Sequence, residues 1–240
     1  MTSSGATNST KERILGDIRR ALHGSAPSAP VVPEKQSRRS AEEILRTSEL
    51  RRSDLVEQFE SELTRLGVQF CRARNFDEAS RYVEQVAIER QARQVVTWDA
   101  PIISQSGVGS RLSEHGIDVL TEDTDDFLAT AAVAEIGISG VDYAISDTGT
   151  LVLVAQKGQA RSISLLPPIH IALVKVDQLV SGIGDLFELL APVAARDGQD
   201  LWSAITFITG PSRTADIELK LVVGVHGPQQ LHVVLLEFHS

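Results

Sequence analysis

The 240-residue sequence has a single cysteine, Cys71, and no apolar run close to the ~20 residues of a membrane-spanning helix. One cysteine excludes an internal disulfide. It also excludes a zinc ribbon or an iron–sulfur cluster ligated by this chain alone, because such sites take about four Cys or His ligands. The N-terminus lacks the apolar core of a signal peptide. These absences predict a soluble, cytoplasmic protein.

Basic residues are too few for sequence-independent nucleic-acid binding, since 23 Lys and Arg stand against 32 Asp and Glu. Their distribution is uneven. Residues 1–40 hold seven basic and three acidic residues, three prolines and no aromatic side chain, so they cannot form a core. We predict a basic, largely flexible tail over residues 1–40 and an α/β domain over residues 41–240. Ser9 and Glu12 have capping-box spacing and predict one short helix in the tail, which either docks on its own domain or engages a partner.

From Ser53 onward, helical and strand-like segments alternate with short connections, which is typical of βαβ units with parallel strands. The spacing of Leu55, Phe59 and Leu63 predicts a helix that ends at Gly67. The further predicted elements of this half are a strand at 68–71, a helix at 76–87, a strand at 94–98, a helical segment at 102–114, a strand at 118–120 and a helix at 124–135.

After residue 138, strand-like segments follow one another directly. The triplet Asp147-Thr148-Gly149 is a hairpin signal, so these segments predict an antiparallel excursion on a mostly parallel sheet. The predicted strands are 141–146, 150–155, 162–166 and 169–176; then come a helix at 178–190 with Asp185 facing water, a strand at 204–208, a brief helix after the Gly210-Pro211 turn, and a hairpin of 222–225 with 232–237. The predicted fold class is α/β, a three-layer mixed and mostly parallel sheet.

Four polar segments lie beside predicted strands, where the ligands of open α/β sheets gather. In the first, Asp147, Thr148, Gly149 and Thr150 either form only a turn or close around a ligand. An aspartic protease is excluded because a second Asp-Thr-Gly triplet is absent.

The second segment contains Arg161 and His170. Arg161 offers paired donors to a carboxylate or phosphate, or else makes a surface ion pair. His170 lies in an apolar run, so it is either a hydrogen-bonded core histidine or a catalytic base.

The third segment contains Gly210, Ser212, Arg213, Asp216 and Glu218. A helix starting after the glycine turn would present free N–H groups to an anion, with Arg213 reinforcing the positive charge. Asp216 and Glu218 would otherwise cap the helix dipole or pair with Arg213.

The fourth segment places His226 in a turn directed at the same strand-end cleft, where it or the histidine of the second segment would handle a proton. We predict no metal site, because His226 and His232 lack a third ligand at a familiar spacing. A Gly-x-Gly-x-x-Gly element is also absent, so we predict no cofactor bound by this chain.

Four segments occur together in order: 140–154, 164–172 with Leu-Leu-Pro-Pro-Ile-His-Ile-Ala, 209–218 and 222–228. They resemble the lactate-utilization protein C family, whose shared unit is the LUD domain, over about residues 55–237. The resemblance implies a fold similar to that of glucosamine-6-phosphate isomerases, ribose-5-phosphate isomerases and coenzyme A transferases. It also implies a part in oxidising L-lactate to pyruvate with two iron–sulfur partner proteins, on which the clusters would reside.

Three hypotheses follow. The first is a cluster-free component of a lactate-oxidising system that binds a small anionic metabolite between Arg161, Arg213 and the Asp147 turn, which must then converge in space. The second, suggested by the fold relatives, is a stand-alone transferase or isomerase acting on a coenzyme A thioester or a sugar phosphate. For a transferase, Glu218 or Asp147 would have to be the carboxylate nucleophile. The third is a non-catalytic assembly module whose basic tail is the functional part.

Overall fold

A computed structural model describes Arg13, Leu15, Gly16 and residues 39–155, 158–194, 204–215, 221–224 and 226–238. The chain divides into two units, Met1–Arg38 and Arg39–Ser240. In the first unit the three described residues are helical and lie within the predicted short helix. The assignment of residues 1–40 as a flexible tail stays a prediction. None of the helices in the described ranges is long and apolar enough to cross a membrane.

The second unit alternates helices and strands in its first half and is rich in strands thereafter. Its described helices are α1 (Ala41–Leu50), α2 (Arg52–Leu66), α3 (Phe76–Glu89), α4 (Pro101–Ser106), α5 (Val108–Glu114), α6 (Phe127–Val133), α7 (Ser162–Leu165) and α8 (Ile183–Ala194), with a 3₁₀ turn at Val176–Gln178. Its described strands are β1 (Gln69–Ala73), β2 (Gln94–Thr97), β3 (Asp118–Leu120), β4 (Ile136–Ser139), β5 (Tyr143–Ile145), β6 (Thr150–Val154), β7 (Ile169–Lys175), β8 (Leu179–Val180), β9 (Ile205–Ile208), β10 (Arg213–Ala215), β11 (Leu221–Val223) and β12 (Gln230–Leu236).

Six parallel strands form the main sheet, in the order β1-β12-β7-β4-β2-β3. The central strands β4, β7 and β12 are buried over nearly their whole length, as expected for apolar strands of a parallel sheet covered on both faces. This arrangement confirms the predicted mixed, mostly parallel α/β fold. The likeness to sugar-phosphate isomerases and coenzyme A transferases stays a prediction.

A second, four-stranded sheet has the order β8-β5-β6-β9. The predicted hairpin is present, because β5 and β6 pair antiparallel with Ile145 opposite Thr150. The sequence predicted that this hairpin extends the main sheet, but it belongs to the second sheet. Its predecessor β4 already has β2 and β7 as neighbours, so the main sheet offers no free edge beside it. The hairpin instead pairs with β8 and β9 and packs on α8 through Val152 and Leu186.

Residues 162–166 were predicted as a strand, but they form the short helix α7. Their alternating serines and apolar residues match a strand pattern in isolation. The sheet beneath them explains the difference, because Gly137 in β4 has no side chain and α7 lies directly over it. A Cβ atom at Gly137 would be 1.9 Å from the carbonyl oxygen of Ile163.

The prediction for the C-terminal region was wrong in two respects. Residues Arg213–Ala215 form a strand instead of a helix, and β10 pairs with β11 in a two-stranded sheet. The predicted hairpin between β11 and β12 does not form, because β12 lies between β1 and β7. Its leucines and valines are buried on both faces, which only a central position in the sheet can provide.

Helix α1 was missed, although the capping box of Ser40 and Glu43 signals its start. Ile44 anchors this helix in the core of the second sheet. Asp185 was predicted to face water, but its carboxylate is buried and pairs with Arg39 just before α1. Burial of a charge is costly unless it is paired, and the arginine provides that pairing.

The close packing of α7 on Gly137 can be tested by its effect on the stability of the fold. In Gly137→Ala the new methyl group would meet the backbone of α7, so the helix must shift away from the sheet. We expect the free energy of unfolding, measured by urea denaturation, to fall by about 1–3 kcal/mol, as overpacked cores do. Gly109→Ala in α5 is the matched control, because its methyl group would meet only Val119 at 3.9 Å. Equal unfolding midpoints for the two variants would contradict the close packing of α7.

Candidate functional site

A cleft of about 600 Å³ opens at the carboxyl ends of β2, β4 and β7. Trp98 and residues 100–102 follow β2, residues 140–143 follow β4, and Lys175 ends β7; Gln159, Leu45 and residues 177–178 complete the lining. The chain leaves β2 toward β3 on one side and leaves β4 toward β7 on the other. The cleft therefore lies where the strand order reverses, which is where open parallel sheets bind their ligands.

Gly140, just after β4, allows close packing in the wall of the cleft. A Cβ atom at this position would be 2.9 Å from the Cγ2 atom of Ile102 and 3.9 Å from the ring of Trp98. The absence of a side chain lets the segment after β4 pack directly against the segment after β2. Trp98, Ile102 and Val141 are buried here and give the cleft an apolar wall.

The charged groups of the cleft come from two strand ends. Asp142 is half-buried, and its Oδ2 accepts a hydrogen bond of 2.7 Å from the N–H of Val154. Burial raises the pKa of the Asp142 carboxyl, and this outweighs the opposite effect of that hydrogen bond. Burial, and then the nearby Asp142, raises the pKa of the Tyr143 hydroxyl. Lys175 is half-buried at the end of β7.

Two glutamines of the cleft differ in their hydrogen bonding. The Oε1 atom of Gln178 accepts a hydrogen bond of 2.8 Å from the N–H of Lys175, and its Nε2 donates to the carbonyl of Val141. Gln178 therefore ties the end of β7 to the segment after β4. The Oε1 atom of Gln159 is buried and accepts no hydrogen bond.

His170 lies below the cleft, in the middle of the main sheet. It is fully buried in β7, and its Nε2 is 2.8 Å from the Oγ of Ser139, the residue before Gly140. Burial, and to a smaller extent His232, lowers the pKa of His170 to about 3, so the imidazole is neutral. The structure thus encloses His170 in the core, which agrees with the interpretation as a hydrogen-bonded core histidine. Its catalytic role stays a prediction.

A second buried histidine lies on the neighbouring strand β12. The Nδ1 atom of His232 is 2.9 Å from the hydroxyl of Tyr82 in α3. Burial, then the positive charge of Arg90, lowers the pKa of His232 to about 4, and burial raises the pKa of Tyr82 to about 12.

Most of the predicted anion-binding residues gather elsewhere, at the carboxyl end of α2. The hydroxyl of Thr150 donates to that of Thr148 and is 2.8 Å from that of Thr209. Gly149 and Gly210 both lie against Leu66, and Nη2 of Arg213 donates to the carbonyl of Leu66 at 2.7 Å. Asp147 is exposed at the same hairpin tip. The N–H of Ser212 donates a hydrogen bond of 2.9 Å to the carbonyl of Pro228. Arg213 here caps α2.

Arg161 does not join this group. It precedes α7, and the carbonyl of its neighbour Ala160 accepts a hydrogen bond from Nε1 of Trp98 at the cleft. Thr150 at the tip and Val154 are separated by the length of β6, about 13 Å at the rise of a strand, and Arg161 follows the Val154 end. The expected convergence of Arg161 with Arg213 and Asp147 stays a prediction.

His226, Asp216 and Glu218 are the remaining predicted site residues. His226 is exposed in the loop before β12. Asp216 and Glu218 lie outside the described residues. Across the described ranges no three His, Cys, Asp or Glu side chains are grouped so as to hold a metal ion. The catalytic and binding roles assigned to these residues from the sequence stay predictions.

Three cleft residues were not predicted from the sequence: Lys175, Asp142 and Gln159. A usable signal was present, because Lys175 is the charged residue that closes a long apolar run, and the carboxyl end of a parallel strand is where ligands bind. The Asp147 triplet is the more conspicuous feature of the sequence, because its turn chemistry is recognisable from neighbouring residues alone.

Fold and cleft together define an α/β protein with a parallel central sheet and a cleft at its topological switch point. The family model described as the LUD domain matches residues 56–236. The chain therefore belongs to the LUD domain family.

Named relatives agree with this assignment. Lactate utilization protein C of Halalkalibacterium halodurans is 38% identical over 162 residues, which cover 67% of this chain and 70% of that protein. Lactate utilization protein C of Deinococcus radiodurans is 29% identical over 238 residues, covering 98% and 100%. The crystal structure of a DUF162 family protein from Deinococcus radiodurans superposes with a TM-score of 0.58 at 26% identity, covering 78% of this chain and 98% of that one.

The buried histidines predict an acid-sensitive fold. In the unfolded chain a histidine takes up a proton at a pKa near 6.5, whereas folded His170 does so only at about 3. The unfolded state therefore binds more protons between these values, and stability is lost as the pH falls through that window. In His170→Gln, which retains a partner for Ser139, we expect the loss of unfolding free energy between pH 6.5 and 4.5 to be smaller than in the wild type by about 2 kcal/mol.

Urea denaturation at several pH values measures this difference. His226→Gln is the control, because His226 is exposed, and this variant should keep the pH dependence of the wild type. Identical pH dependence in His170→Gln and the wild type would show that His170 is not held neutral in the fold.

Proposed function

We propose that the protein is a cluster-free component of a cytoplasmic lactate-utilization system. In this role it binds a small monocarboxylate in the cleft at the carboxyl ends of β2, β4 and β7. It works with iron–sulfur partner proteins in the oxidation of L-lactate to pyruvate. Membership of the LUD domain family and the names of the two relatives support the system, and the geometry of the cleft supports the ligand.

The charge of the cleft is the observation that carries the choice of ligand. Among the described lining residues, Lys175 alone is basic, and Asp142 and Asp177 are acidic. A carboxylate about 4 Å from Lys175 would gain on the order of 4 kcal/mol of Coulomb energy at an effective dielectric of 20, before desolvation. The two aspartates oppose every negative charge of a ligand, so each charge beyond the one paired with Lys175 adds repulsion without a matching attraction. A monocarboxylate therefore suits this cleft better than a sugar phosphate or the phosphates of coenzyme A.

The partners follow from the electron balance of the reaction. Oxidation of one L-lactate to pyruvate releases two electrons and two protons. With one cysteine the chain cannot by itself ligate an iron–sulfur cluster, so we assign the electrons to clusters on the partner proteins.

Substitution of Lys175 tests the ligand. We expect Lys175→Met to weaken L-lactate binding at least about tenfold, because a half-buried cation is removed, and Lys175→Arg to restore most of the affinity. Isothermal titration calorimetry with L-lactate, pyruvate, glucose 6-phosphate and acetyl-coenzyme A measures the four affinities. Arg93→Met, an exposed site at the amino end of β2, controls for net charge.

Two results would contradict the proposal. Unchanged L-lactate affinity in Lys175→Met would remove the ligand from this cleft. Binding of glucose 6-phosphate or acetyl-coenzyme A without binding of any monocarboxylate would favour a stand-alone isomerase or transferase.

The proposed system makes a second prediction. A strain lacking this gene should grow poorly on L-lactate as sole carbon source, with growth restored by the wild-type gene and not by Lys175→Met. An affinity-tagged chain should co-purify with proteins that contain iron–sulfur clusters, detected by mass spectrometry and iron analysis. Unimpaired growth of the deletion strain would exclude a necessary role in lactate utilization.

A further inference from the structure

The two carboxylate oxygens of Asp142 have different surroundings. The Oδ2 atom accepts the hydrogen bond of 2.7 Å from the N–H of Val154, and the N–H of Asp142 donates to the carbonyl of Val152 at 2.9 Å. Both bonds fix the residue to β6. Asp142 lines the cleft and is half-buried. Its Oδ1 is not among the buried side-chain atoms without a partner, which in the described residues include Oε1 of Gln159, so Oδ1 keeps surface that a ligand can reach.

The side chain of Gln178 connects the segment that carries Asp142 to the strand end that carries Lys175. Its Oε1 accepts a hydrogen bond from the N–H of Lys175, and its Nε2 donates to the carbonyl of Val141, the residue before Asp142. One side-chain amide therefore spans the gap between the two segments. The cation and the acceptor of the cleft thus belong to segments that are joined before any ligand binds, which lowers the entropic cost of binding.

We propose that Asp142 is the specificity-determining residue of this cleft and that its Oδ1 accepts the hydroxyl hydrogen of a 2-hydroxy acid. This inference rests on the proposed function, because it takes Lys175 as the partner of the ligand carboxylate. An ionised carboxylate is only an acceptor, and its hydrogen bond with a hydroxyl is about twice as strong as one between neutral groups. A 2-oxo acid would place its ketone oxygen against Oδ1, so two acceptors would meet without a proton. The repulsion between Asp142 and the ligand carboxylate is common to both acids, so the hydroxyl decides the preference.

Calorimetry on the full chain with three ligands measures this preference. L-lactate carries a carboxylate and a hydroxyl, pyruvate a carboxylate and a ketone, and propionate a carboxylate alone. We expect the wild type to bind L-lactate at least about tenfold more tightly than pyruvate or propionate, as one hydrogen bond to a charged group provides. Burial raises the pKa of Asp142 from 3.8, so the titrations are run at about pH 8, where the carboxylate is ionised.

Asp142→Asn changes the group that meets the ligand. The N–H of Val154 still requires an acceptor, so the amide oxygen takes the place of Oδ2 and the NH2 group takes the place of Oδ1. This donor can bond to the ketone oxygen of pyruvate as well as to the hydroxyl oxygen of L-lactate. We expect the affinities for these two ligands to lie within about threefold of each other, and both to exceed the affinity for propionate.

Asp177→Asn is the matched control, because Asp177 lines the same cleft but is exposed. It removes the same charge, so it should raise all three affinities and keep the wild-type preference for L-lactate. Asp142→Ala removes donor and acceptor together, so its three affinities should lie within about threefold of one another. Circular dichroism and the melting temperature identify the variants that fold, and either folded variant of Asp142 suffices for the test.

The outcomes distinguish the inference from the proposed function. If the three monocarboxylates bind the wild type equally and Lys175→Met weakens all of them, the proposed ligand stands and the role of Asp142 is overturned. If a folded Asp142→Asn or Asp142→Ala keeps the wild-type preference for L-lactate, another group accepts the hydroxyl hydrogen and the inference is likewise overturned. If no monocarboxylate binds, both fail.

Discussion

The parallel pairing of β4 with β2 on one side and β7 on the other is the interaction on which the rest of this structure depends. It brings three strand ends together where the strand order reverses, and the cleft is the space between the segments that leave them. Two glycines, one within β4 and one just after it, allow neighbouring segments to pack closely around these strand ends. Gly137 lets α7 cover the sheet directly, and Gly140 lets the cleft wall close against Ile102 and Trp98.

The polar groups inside this apolar framework fall into two kinds. His170 and His232 are enclosed by the central strands, where burial keeps them neutral. The groups at the strand ends are only half-buried, so Lys175 and Asp142 line the cleft. The depth of each group thus decides whether it is enclosed by the sheet or faces the cleft, although all four lie within or beside the same set of strands.

The hairpin of β5 and β6 connects the two polar regions of the domain while keeping them apart. Its open end carries Asp142 and Val154 beside the cleft. Its tip places Thr148 and Thr150 at the carboxyl end of α2, near Arg213. The residues of the Asp-Thr-Gly turn are thus organised by contacts with α2, whereas the cleft is lined by residues on both sides of the hairpin in the chain, together with Tyr143 of β5.

Local information in the sequence was enough for the alternation of helices and strands before residue 138, the end of α2 at Gly67, the β5–β6 hairpin, and the LUD domain resemblance. Each depends on residues close together in the chain: periodic apolar positions, a glycine with positive φ, a turn triplet, or a run of motif residues. The tertiary structure alone decided that β12 enters the sheet between β1 and β7, that 162–165 is helical, and that Lys175, Asp142 and Gln159 share one cleft. Those outcomes depend on which buried strands compete for the same neighbours, and no local pattern encodes that competition.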